Sequence, residues 1–556
     1  MPPRRRRARE SDDENTLKIL IATDNHVGFL ETDPIRGKDS FRAFEEVLQQ
    51  AQKHNVDLIL LGGDLFHHNK PSQNCLHEVA TLVRRYCFGD KPCNFWIASD
   101  QSINFANQFN IANVFDPNLN VSYPIFSIHG NHDDPAGFGN LCALDILSST
   151  GLANYFGRCH DFNKIELYPI LLQKGSTQVA LYGLGNIRDE RLHRAWRDGH
   201  VSFKRPREDG AGSEWLRNAF NVFVLHQNRA RHGPTSHIPE EFLDEFLDLV
   251  IWGHEHECRI EPEHSINGFD ITQPGSSVAT SLAAGEALPK HIGLLKITGR
   301  EYTLEPIRLR TVRPFQFTQV VLSKVRELTR PSDTKACQRY LTKVVEDLIQ
   351  RANDEWQQQR DEENHNDESQ EQQTDEMPLP LIRVRVDYSG GFETFNTLKF
   401  GQMFANRVAN PKDILQFHRS RTTEPRQRRS AEIVSDASLS VPERLDALRV
   451  EDLVGELLGR NLELLPENEL ADVIQQFVEK DDKHAVSSFI DRSLQRTKRR
   501  FQDEGERGHV QDLSDDYVKR RATADKEHWY NAYAREMRGR TSQPGRQQQQ
   551  QQSSNA

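Results

Sequence analysis

The stretch YPIFSIHGNHDDP, residues 123–135, decides the fold of this chain. Its apolar first half is typical of a buried strand. It ends abruptly in a glycine and four polar residues that can each bind a metal or move a proton, Asn131, His132, Asp133 and Asp134. Two earlier apolar runs, LKILIATD (17–24) and VDLILLGGD (56–64), also end in a carboxylate. We therefore expect polar side chains to gather where the strands end.

Segments with helical spacing separate these apolar runs. They are SFRAFEEVLQQAQKHN (40–55), NCLHEVATLVRRYC (74–87) and CALDILSST (142–150). Further strands are expected in QVALYGLG, NVFVLHQN, LVIWGHEHE, DITQPGSS and IGLLKIT. Alternation of buried strands with helices predicts an α/β fold in which helices cover a sheet.

The composition indicates a globular part joined to long solvated segments. Of 556 residues, 28% are charged and 36% hydrophobic, and the formal net charge of −11 gives no indication of nucleic-acid binding. The seven cysteines include no CxxC pair, which favours a reduced intracellular protein without a structural zinc site. No apolar run approaches the ~18 residues of a membrane-spanning helix.

The chain divides into several predicted regions. We expect a first domain over 15–299 and a small second domain over 300–421, in which the acidic, Gln-rich stretch 353–377 is a disordered loop. The basic segment 1–14 is either a solvated, disordered tail or an arm for nuclear import or DNA contact. Residues 422–441 are expected to be a polar linker, and 442–500 a helical region. The tail, 501–556, is charged and Gln-rich and is expected to be disordered.

Side chains suited to metal binding follow five of the predicted strands: Asp24, His26, Asp64, Asn131, His226, His254 and His256. In an open α/β sheet the carboxyl ends of the strands meet at one edge, where ligands bind. Each motif alone has an ordinary explanation, since HxH pairs are common on surfaces and GGD or GNHD are common in turns. The whole series at matched strand ends favours a functional site.

Seven side chains are too many ligands for one first-row metal ion. If the Asp64 carboxylate is shared between two ions, each has about four protein ligands, which describes a hydrolytic site with ions ~3.5–4 Å apart. Oxygen and imidazole donors without thiolate suit manganese, iron or zinc, and the sequence does not choose among them.

The order of these motifs is similar to that of the calcineurin-like metallophosphoesterases. Within them, ATDNHVG, GGDLFHHNKPS, SIHGNHDDP, LHQNR and IWGHEHEC closely resemble the eukaryotic Mre11 nuclease family, which cuts DNA in double-strand-break repair. TQPGSSVATSL, RVRVDYSGGFE, VANPKDILQFHR and LRVEDLV resemble the same family, so the resemblance covers roughly residues 15–500. The Gly-Arg run of some members is missing from the tail.

The resemblance implies one ion on Asp24, His26, Asp64 and His256, and a second on Asp64, Asn131, His226 and His254. It implies that His132 is catalytic and that His67 lies beside the scissile bond. The fold it implies is a two-layer β-sandwich metallophosphoesterase core flanked by helices, with a small α+β capping domain and C-terminal helices.

For the residues after Gly130, we expect Asn131 to bind the metal through its carbonyl oxygen, while His132 points towards the substrate phosphate. Asp133 and Asp134 are expected to cap the next helix or bond the loop backbone, or to orient a histidine. A histidine with an ordinary pKa near ~6.5 can donate a proton or a hydrogen bond to the leaving oxygen.

The activity that the resemblance implies is that of a DNA phosphodiesterase using two Mn²⁺ per chain, with endonuclease and 3′-to-5′ exonuclease activity. A phosphatase of the same superfamily is one alternative. Such phosphatases carry Asp and Arg shortly after the second metal Asp, whereas this chain has His67 there. A DNA-end-binding scaffold without activity is the other alternative, and the intact ligand set argues against it.

The implied partners are DNA, a second copy of the chain, the Rad50 coiled-coil ATPase and a nibrin-type third subunit, in the nucleus. No GxxxxGK[ST] motif is present, so any P-loop ATPase acts in trans.

The candidate dimer helices are FRAFEEVLQQ and CLHEVATLVRRYC, although their apolar faces could instead only cover the sheet. For the ATPase we expect contacts from Leu445, Leu448, Leu453, Val454, Leu457 and Phe477, and for DNA from Arg383, Arg385, Lys399, Arg407, Lys412 and Arg419.

Overall fold

A computed structural model describes residues 14–419, apart from 106–108, 137–138, 207–214, 216, 232, 234, 329 and 367–376. The predicted basic N-terminal tail, linker, helical region and Gln-rich tail lie outside the described residues, and so do the six candidate ATPase-binding side chains. No helix among the described residues is long and apolar enough to cross a membrane.

The larger part of the fold is a sandwich of two mixed sheets. The first sheet contains β1 (Thr16–Ala22), β2 (Leu58–Gly62), β4 (Ile125–Ile128), β5 (Asn154–Tyr155), β14 (His291–Thr298) and β15 (Glu301–Arg308). They lie in the order β15-β14-β1-β2-β4-β5, and the four strands from β1 to β5 in that order run parallel. The predicted strands that precede Asp24, Asp64 and Asn131 are therefore neighbours in one sheet.

The second sheet of the sandwich has seven strands. They are β3 (Trp96–Ile97), β7 (Ile170–Lys174), β8 (Thr177–Leu184), β10 (Phe220–His226), β11 (Leu249–Gly253), β12 (Arg259–His264) and β13 (Asp270–Gln273). Their order is β12-β13-β11-β10-β8-β7-β3, with β8, β10, β11 and β13 parallel. A separate two-stranded sheet pairs β6 (Ile165–Leu167) with β9 (Val201–Phe203).

Alternating residues of β1 show how the sandwich is built. Leu17, Ile19 and Ile21 pack between the two sheets with Val222 and Val224 of β10. Leu20 and Ala22 face the other way, because successive side chains of a strand point to opposite faces. The predicted fold, a two-layer sandwich flanked by helices, is confirmed.

Helices cover the outer faces of both sheets. The helices α1 (Asp39–Lys53), α2 (Gln73–Cys87) and α4 (Ala143–Ser149) pack on the first sheet, and α5 (Asp189–Arg197) packs on the second, while α3 (Gln101–Asn104) is a single turn. The apolar faces of α1 and α2, our candidates for dimer contacts, are buried against the sheet through residues such as Phe44 and Val79. Dimerisation through these helices stays a prediction, and it would have to use their outer faces.

The second domain, which we call the cap (residues 315–419), has a small core of its own. Its sheet consists of three parallel strands, β16 (Phe315–Val321), β17 (Leu381–Asp387) and β18 (Leu415–His418), with β17 in the middle. The long helix α6 (Thr334–Asn366) packs Leu341 and Val345 against Ile382 and Val384 of β17, and a short helix α7 (Thr397–Gly401) completes the layer.

Two features differ from the sequence-based expectation. The strand β15 pairs with β14 over its whole length, so the first sheet continues through Arg308, beyond the boundary expected near Gly299. The prediction of a disordered loop from residue 353 is wrong as far as Asn366, because α6 continues to that residue. Buried Leu348 and Ala352 anchor α6 just before this part, and Glu, Gln and Arg are good helix formers, so a polar composition does not stop the helix.

Polar contacts hold the segment that leads into the cap, residues 309–314, and apolar contacts join the cap itself to the sandwich. The guanidinium of Arg313, just before β16, donates to Asp39 and to the carbonyl oxygen of Ile35. Buried Glu46 of α1 accepts the backbone N–H groups of Arg310 and Thr311 at 2.8 Å. An apolar cluster joins Ala279 and Leu282 of the sandwich to cap residues Phe315, Leu381 and Ala409.

Candidate metal centre

The structure brings all seven predicted ligands together at the carboxyl ends of the parallel strands. The donor atoms of Asp24, Asp64 and His226 lie within 4.8 Å of one another, and so do those of Asp24, His26 and His256. Contacts at 3.2 and 2.8 Å connect Asn131 Oδ1 to His226 and His254, the remaining members of the set. Both sheets of the sandwich therefore contribute to a single centre.

Tight turns after the strands aim these side chains inward. Asp24, His26, Asp64 and His254 have positive φ angles of 50°, 45°, 49° and 85°, a region that non-glycine residues seldom adopt. Such strain clusters at functional sites, where the surrounding structure enforces it. Close packing also explains one glycine of the opening motif, because a Cβ on Gly130 would lie 2.0 Å from Asp64 Oδ1.

The first half of the centre consists of Asp24, His26 and His256. The Nε2 atoms of His26 and His256 are 3.0 Å apart, and His256 Nε2 is 3.8 Å from Asp24 Oδ1. Burial and the neighbouring His256 lower the pKa of His26 well below its ordinary value, so its ring is neutral and can act as a ligand. On the outer side, His256 Nδ1 donates to Glu286 Oε1 at 3.0 Å, which leaves Nε2 to face the centre.

The second half consists of Asp64, Asn131, His226 and His254. His226 donates from Nδ1 to the carbonyl oxygen of Gly62 at 2.8 Å, and its Nε2 lies 3.3 Å from Asp64 Oδ2. Burial alone would lower the pKa of His226, but the carboxylates of Asp64 and Asp24 raise it above its ordinary range. The shift shows how strongly these two buried carboxylates favour a positive charge at this place.

The donor set fits divalent first-row metal ions. Asp24 Oδ1 is buried without a hydrogen-bond partner although two imidazole Nε2 atoms lie 3.8 and 3.9 Å away, which is the arrangement that a bound cation would satisfy. Carboxylate, amide and imidazole donors without thiolate are the ligands of manganese, iron and zinc sites. Asp64 lies between the two halves, where its carboxylate can serve both.

His132 is oriented differently from the other histidines of the centre. Its backbone N–H donates to Asp64 Oδ1 at 2.8 Å, and its Nδ1 donates to the carbonyl oxygen of His67 at the same distance. The ring of His67 stacks on that of His132 with 4.9 Å between centroids. His132 Nε2 is buried and has no hydrogen-bond partner among the described residues.

Position alone does not separate His132 from the ligands. The donor atoms of His26, His67 and His132 also lie within 4.8 Å of one another, so this trio could hold a cation as well. Burial and the neighbouring His132 lower the pKa of His67 to about 3, which keeps this half-buried ring neutral. The assignment of His132 to catalysis and of Asn131 to the metal stays a prediction.

The two aspartates after His132 bond the surrounding loops. Asp133 accepts hydrogen bonds from the backbone N–H groups of Gly130 and Phe66 at 2.7 and 3.2 Å. Asp134 accepts from the amide of Asn69 at 2.6 Å. Bonding of the loop backbone, one of the roles expected for them, is found for Asp133, whereas Asp134 bonds a side chain, and neither caps α4, which begins after Cys142.

Sequence reasoning missed the residues that orient the ligands from outside. Asn228 Oδ1 accepts from His254 Nε2 at 3.0 Å, and its amide in turn donates to Asp189 at 2.6 Å. Asn228 lies within the LHQNR motif, two residues after His226, so the motif offered a signal. Glu286 lies in an unremarkable AAGEALP segment thirty residues after His256, and nothing in the sequence marks it.

The six candidate DNA-binding residues of the cap fall into different settings. Arg383 and Arg385 share one face of β17, and the Nε atoms of both are buried without a hydrogen-bond partner, as is Nδ1 of His418 in β18. The guanidinium of Arg407 instead forms an ion pair with Glu346 at 2.5 Å. The others are exposed: Lys399, Lys412 and Arg419.

Comparison with known proteins gives two family matches. Residues 17–258 match the model described as Calcineurin-like phosphoesterase. Residues 302–477 match the model described as Mre11 DNA-binding presumed domain. Together the two matches extend from β1 through the cap.

Curated relatives match nearly the whole chain. A Homo sapiens protein named double-strand break repair protein MRE11 is 47% identical over 519 residues, which covers 92% of this chain and 70% of the relative. Proteins of the same name from Coprinopsis cinerea and Oryza sativa subsp. indica are 46% and 45% identical, covering 87% and 90% of this chain and 68% and 69% of the relatives.

Proposed function

The chain belongs to the MRE11 family of double-strand break repair proteins, within the calcineurin-like phosphoesterases, and on that basis we propose that it is a manganese-dependent DNA nuclease. The proposed activities are 3′-to-5′ exonuclease and endonuclease, and the proposed cofactor is two Mn²⁺ per chain. The observation that carries the proposal is the position of Asp64 Oδ2, which lies 3.9 Å from His26 Nε2 of one donor cluster and 3.3 Å from His226 Nε2 of the other.

Two divalent ions held there would supply an activated water and positive charge for the phosphate. The residues of the chain provide their positions: Asp24, His26 and His256 for one ion, Asn131, His226 and His254 for the other, and Asp64 for both. Because the positive-φ turns and outer hydrogen bonds fix these side chains beforehand, little reorganisation accompanies the reaction.

His132 is proposed to exchange a proton with the substrate. Its Nδ1–H stays on the carbonyl oxygen of His67 in both protonation states, so the ring keeps its orientation. The unpartnered Nε2 is then the atom that carries the mobile proton, donating it to a phosphate or leaving oxygen when the ring is an imidazolium. His67 supports the ring by stacking and through its backbone oxygen.

The open face of the cap sheet is proposed to contact the DNA backbone. The guanidinium groups of Arg383 and Arg385 are donors suited to phosphate oxygens, although Nη1 of Arg383 already donates to the carbonyl oxygen of Asp413 at 2.8 Å. Contacts of this kind are independent of sequence and sensitive to salt. Lys399, Lys412 and Arg419 can add to the positive potential, whereas the charge of Arg407 is already paired with Glu346.

The proposed assembly contains a second copy of this chain, a Rad50-type ATPase and a nibrin-type subunit, and acts in the nucleus. These proposals follow from the family and from the apolar stripes of residues 442–500.

Two measurements test the proposed assembly. Light scattering should show a dimer at micromolar concentration, and deletion of 442–500 should abolish ATPase binding while leaving manganese-dependent exonuclease intact.

A cleavage assay tests the proposed activity against its alternatives. Supercoiled plasmid, 3′-labelled duplex and a phosphoprotein are offered to the purified chain with Mn²⁺ and with a chelator. We expect cleavage of both DNA substrates only with Mn²⁺, and no release of phosphate from the protein. Phosphate release alone would indicate a phosphatase, and binding of DNA ends without cleavage would indicate a scaffold.

A further inference from the structure

The segment between β13 and β14 contacts both the metal centre and the cap. It carries Glu286, whose side chain is 1% exposed and bonds His256. It also carries Ala279 and Leu282, which are buried in one cluster with Phe315 and Leu381 of the cap. The eight residues from Ala279 to Glu286 thus connect the apolar cluster that contacts the cap to the imidazole ring of His256.

The carboxylate of Glu286 holds this segment together. Its Oε1 accepts from His256 Nδ1 at 3.0 Å and from the backbone N–H of Thr280 at 2.9 Å. Its Oε2 accepts from the backbone N–H groups of Ser281 and Ala283 at 3.0 and 3.2 Å. The loop backbone therefore fixes the carboxylate, and the carboxylate fixes the ring that faces Asp24.

Among the described residues, the other half of the centre shows no comparable link to the cap. His226 is oriented by the carbonyl oxygen of Gly62, at the end of β2. His254 is oriented by Asn228, which Asp189 of α5 holds. All three of these groups belong to the sandwich, so the orientation of His226 and His254 does not depend on the cap.

We propose that Glu286 is a positioning residue that couples the binding of one divalent ion, at Asp24, His26 and His256, to docking of the cap. The inference rests on the proposed function, since it takes these residues as ligands. When the cap is docked, its apolar residues support Leu282 and keep the segment around Glu286 in place. When the cap moves away, the segment loses this support and His256 Nε2 loses its fixed direction.

The test is a calorimetric titration of the metal-free, full-length chain with Mn²⁺. The wild type should bind two ions. In Glu286→Ala one ion should bind about 10–100-fold more weakly, the usual cost of removing a group that orients a metal ligand, while the other is unchanged. Glu261→Ala is the matched control, because it removes an exposed carboxylate of β12 that lies outside this segment, and it should bind as the wild type does.

A variant in the cap tests the coupling itself. Phe317, which packs partly buried against the docking cluster, is replaced by alanine. The same ion should be weakened, by less than in Glu286→Ala. Since both changes act through one segment, the double variant should bind as weakly as Glu286→Ala and no more weakly. Independent, multiplied effects would overturn the coupling.

The outcomes separate this inference from the proposed function. Wild-type affinity for both ions in Glu286→Ala, or equal weakening of both, overturns the positioning role. A wild type that binds no Mn²⁺ overturns the proposed function instead. If Glu286→Ala lowers the unfolding temperature of the metal-free chain, Glu286→Gln replaces it, because an amide of the same shape cannot accept hydrogen bonds at both of its ends, as Oε1 and Oε2 do here. That variant should weaken the same ion, and unchanged binding of that ion would then overturn the inference.

Discussion

The two halves of the centre are made of similar ligands but are supported by different parts of the molecule. Asn131, His226 and His254 are held by groups of the sandwich, such as the carbonyl oxygen of Gly62 and the amide of Asn228. His256 is held by Glu286, on a segment that packs against the cap. Under the proposed function, one ion would therefore be supported by the sandwich alone, and the other also by a segment that packs against the cap.

Asp64 belongs to both halves, so its replacement should have the largest effect. Asp64→Asn keeps an oxygen for the N–H of His132 but removes the shared negative charge. We expect binding of both Mn²⁺ ions and all DNA cleavage to be lost, with the folded structure retained. Calorimetry and circular dichroism check this, and retention of one tightly bound ion would show that the halves do not share this ligand.

His132→Asn should separate metal binding from catalysis. The variant should keep two Mn²⁺ and wild-type DNA affinity while cleavage falls by ~10²–10⁴, the usual cost of removing a general acid or base. Metal analysis and a plasmid assay on the same preparation check this. Loss of an ion would place His132 among the ligands, with His26 and His67.

Asn228→Ala should weaken the ion opposite the one that Glu286 orients. Loss of the hydrogen bond to His254 Nε2 should cost about 10–100-fold in affinity for that ion. The effect should be the same with or without Phe317→Ala, because Asn228 lies in the sandwich. A dependence on the cap variant would contradict the contrast between the two halves.

The smallest effects are expected on the surface of the cap. Arg385→Ala should weaken DNA binding and reduce the salt dependence of affinity by about one unit of slope. Arg407→Ala is its control, since this residue is paired with Glu346, and an exposed pair contributes only ~0–1 kcal/mol to the free energy of unfolding. Fluorescence anisotropy at several salt concentrations measures the DNA affinity of both variants. If both lose the same affinity, Arg385 contributes no more to DNA binding than Arg407 does.

The sequence allowed the strands and their polar ends to be predicted, because apolar runs such as LILLG and IFSI are followed within three residues by Asp64 and Asn131. It did not show which strands belong to which sheet, since that depends on pairing between distant segments. The sheet continues through β15 because β15 pairs with β14, and no local sequence pattern predicts this pairing.

The supporting residues of the centre were beyond sequence reasoning for a related reason. Glu286 can be assigned a role only from the fold, because it lies thirty residues after His256 in the sequence and yet bonds its ring. The helix α6 was missed past residue 353 because a charged, Gln-rich segment suggests disorder, whereas burial of Leu348 and Ala352 nearby sustains the helix. In both cases the structure depends on packing between residues that are distant in the sequence, which local composition does not predict.

Crystals of the full-length chain grown with Mn²⁺, measured at the manganese absorption edge, would show whether two ions share Asp64. We expect two anomalous peaks about 3.5–4 Å apart on either side of the Asp64 carboxylate, one beside His26 and His256 and the other beside His226 and His254. A single peak, or a peak among His26, His67 and His132, would contradict this expectation.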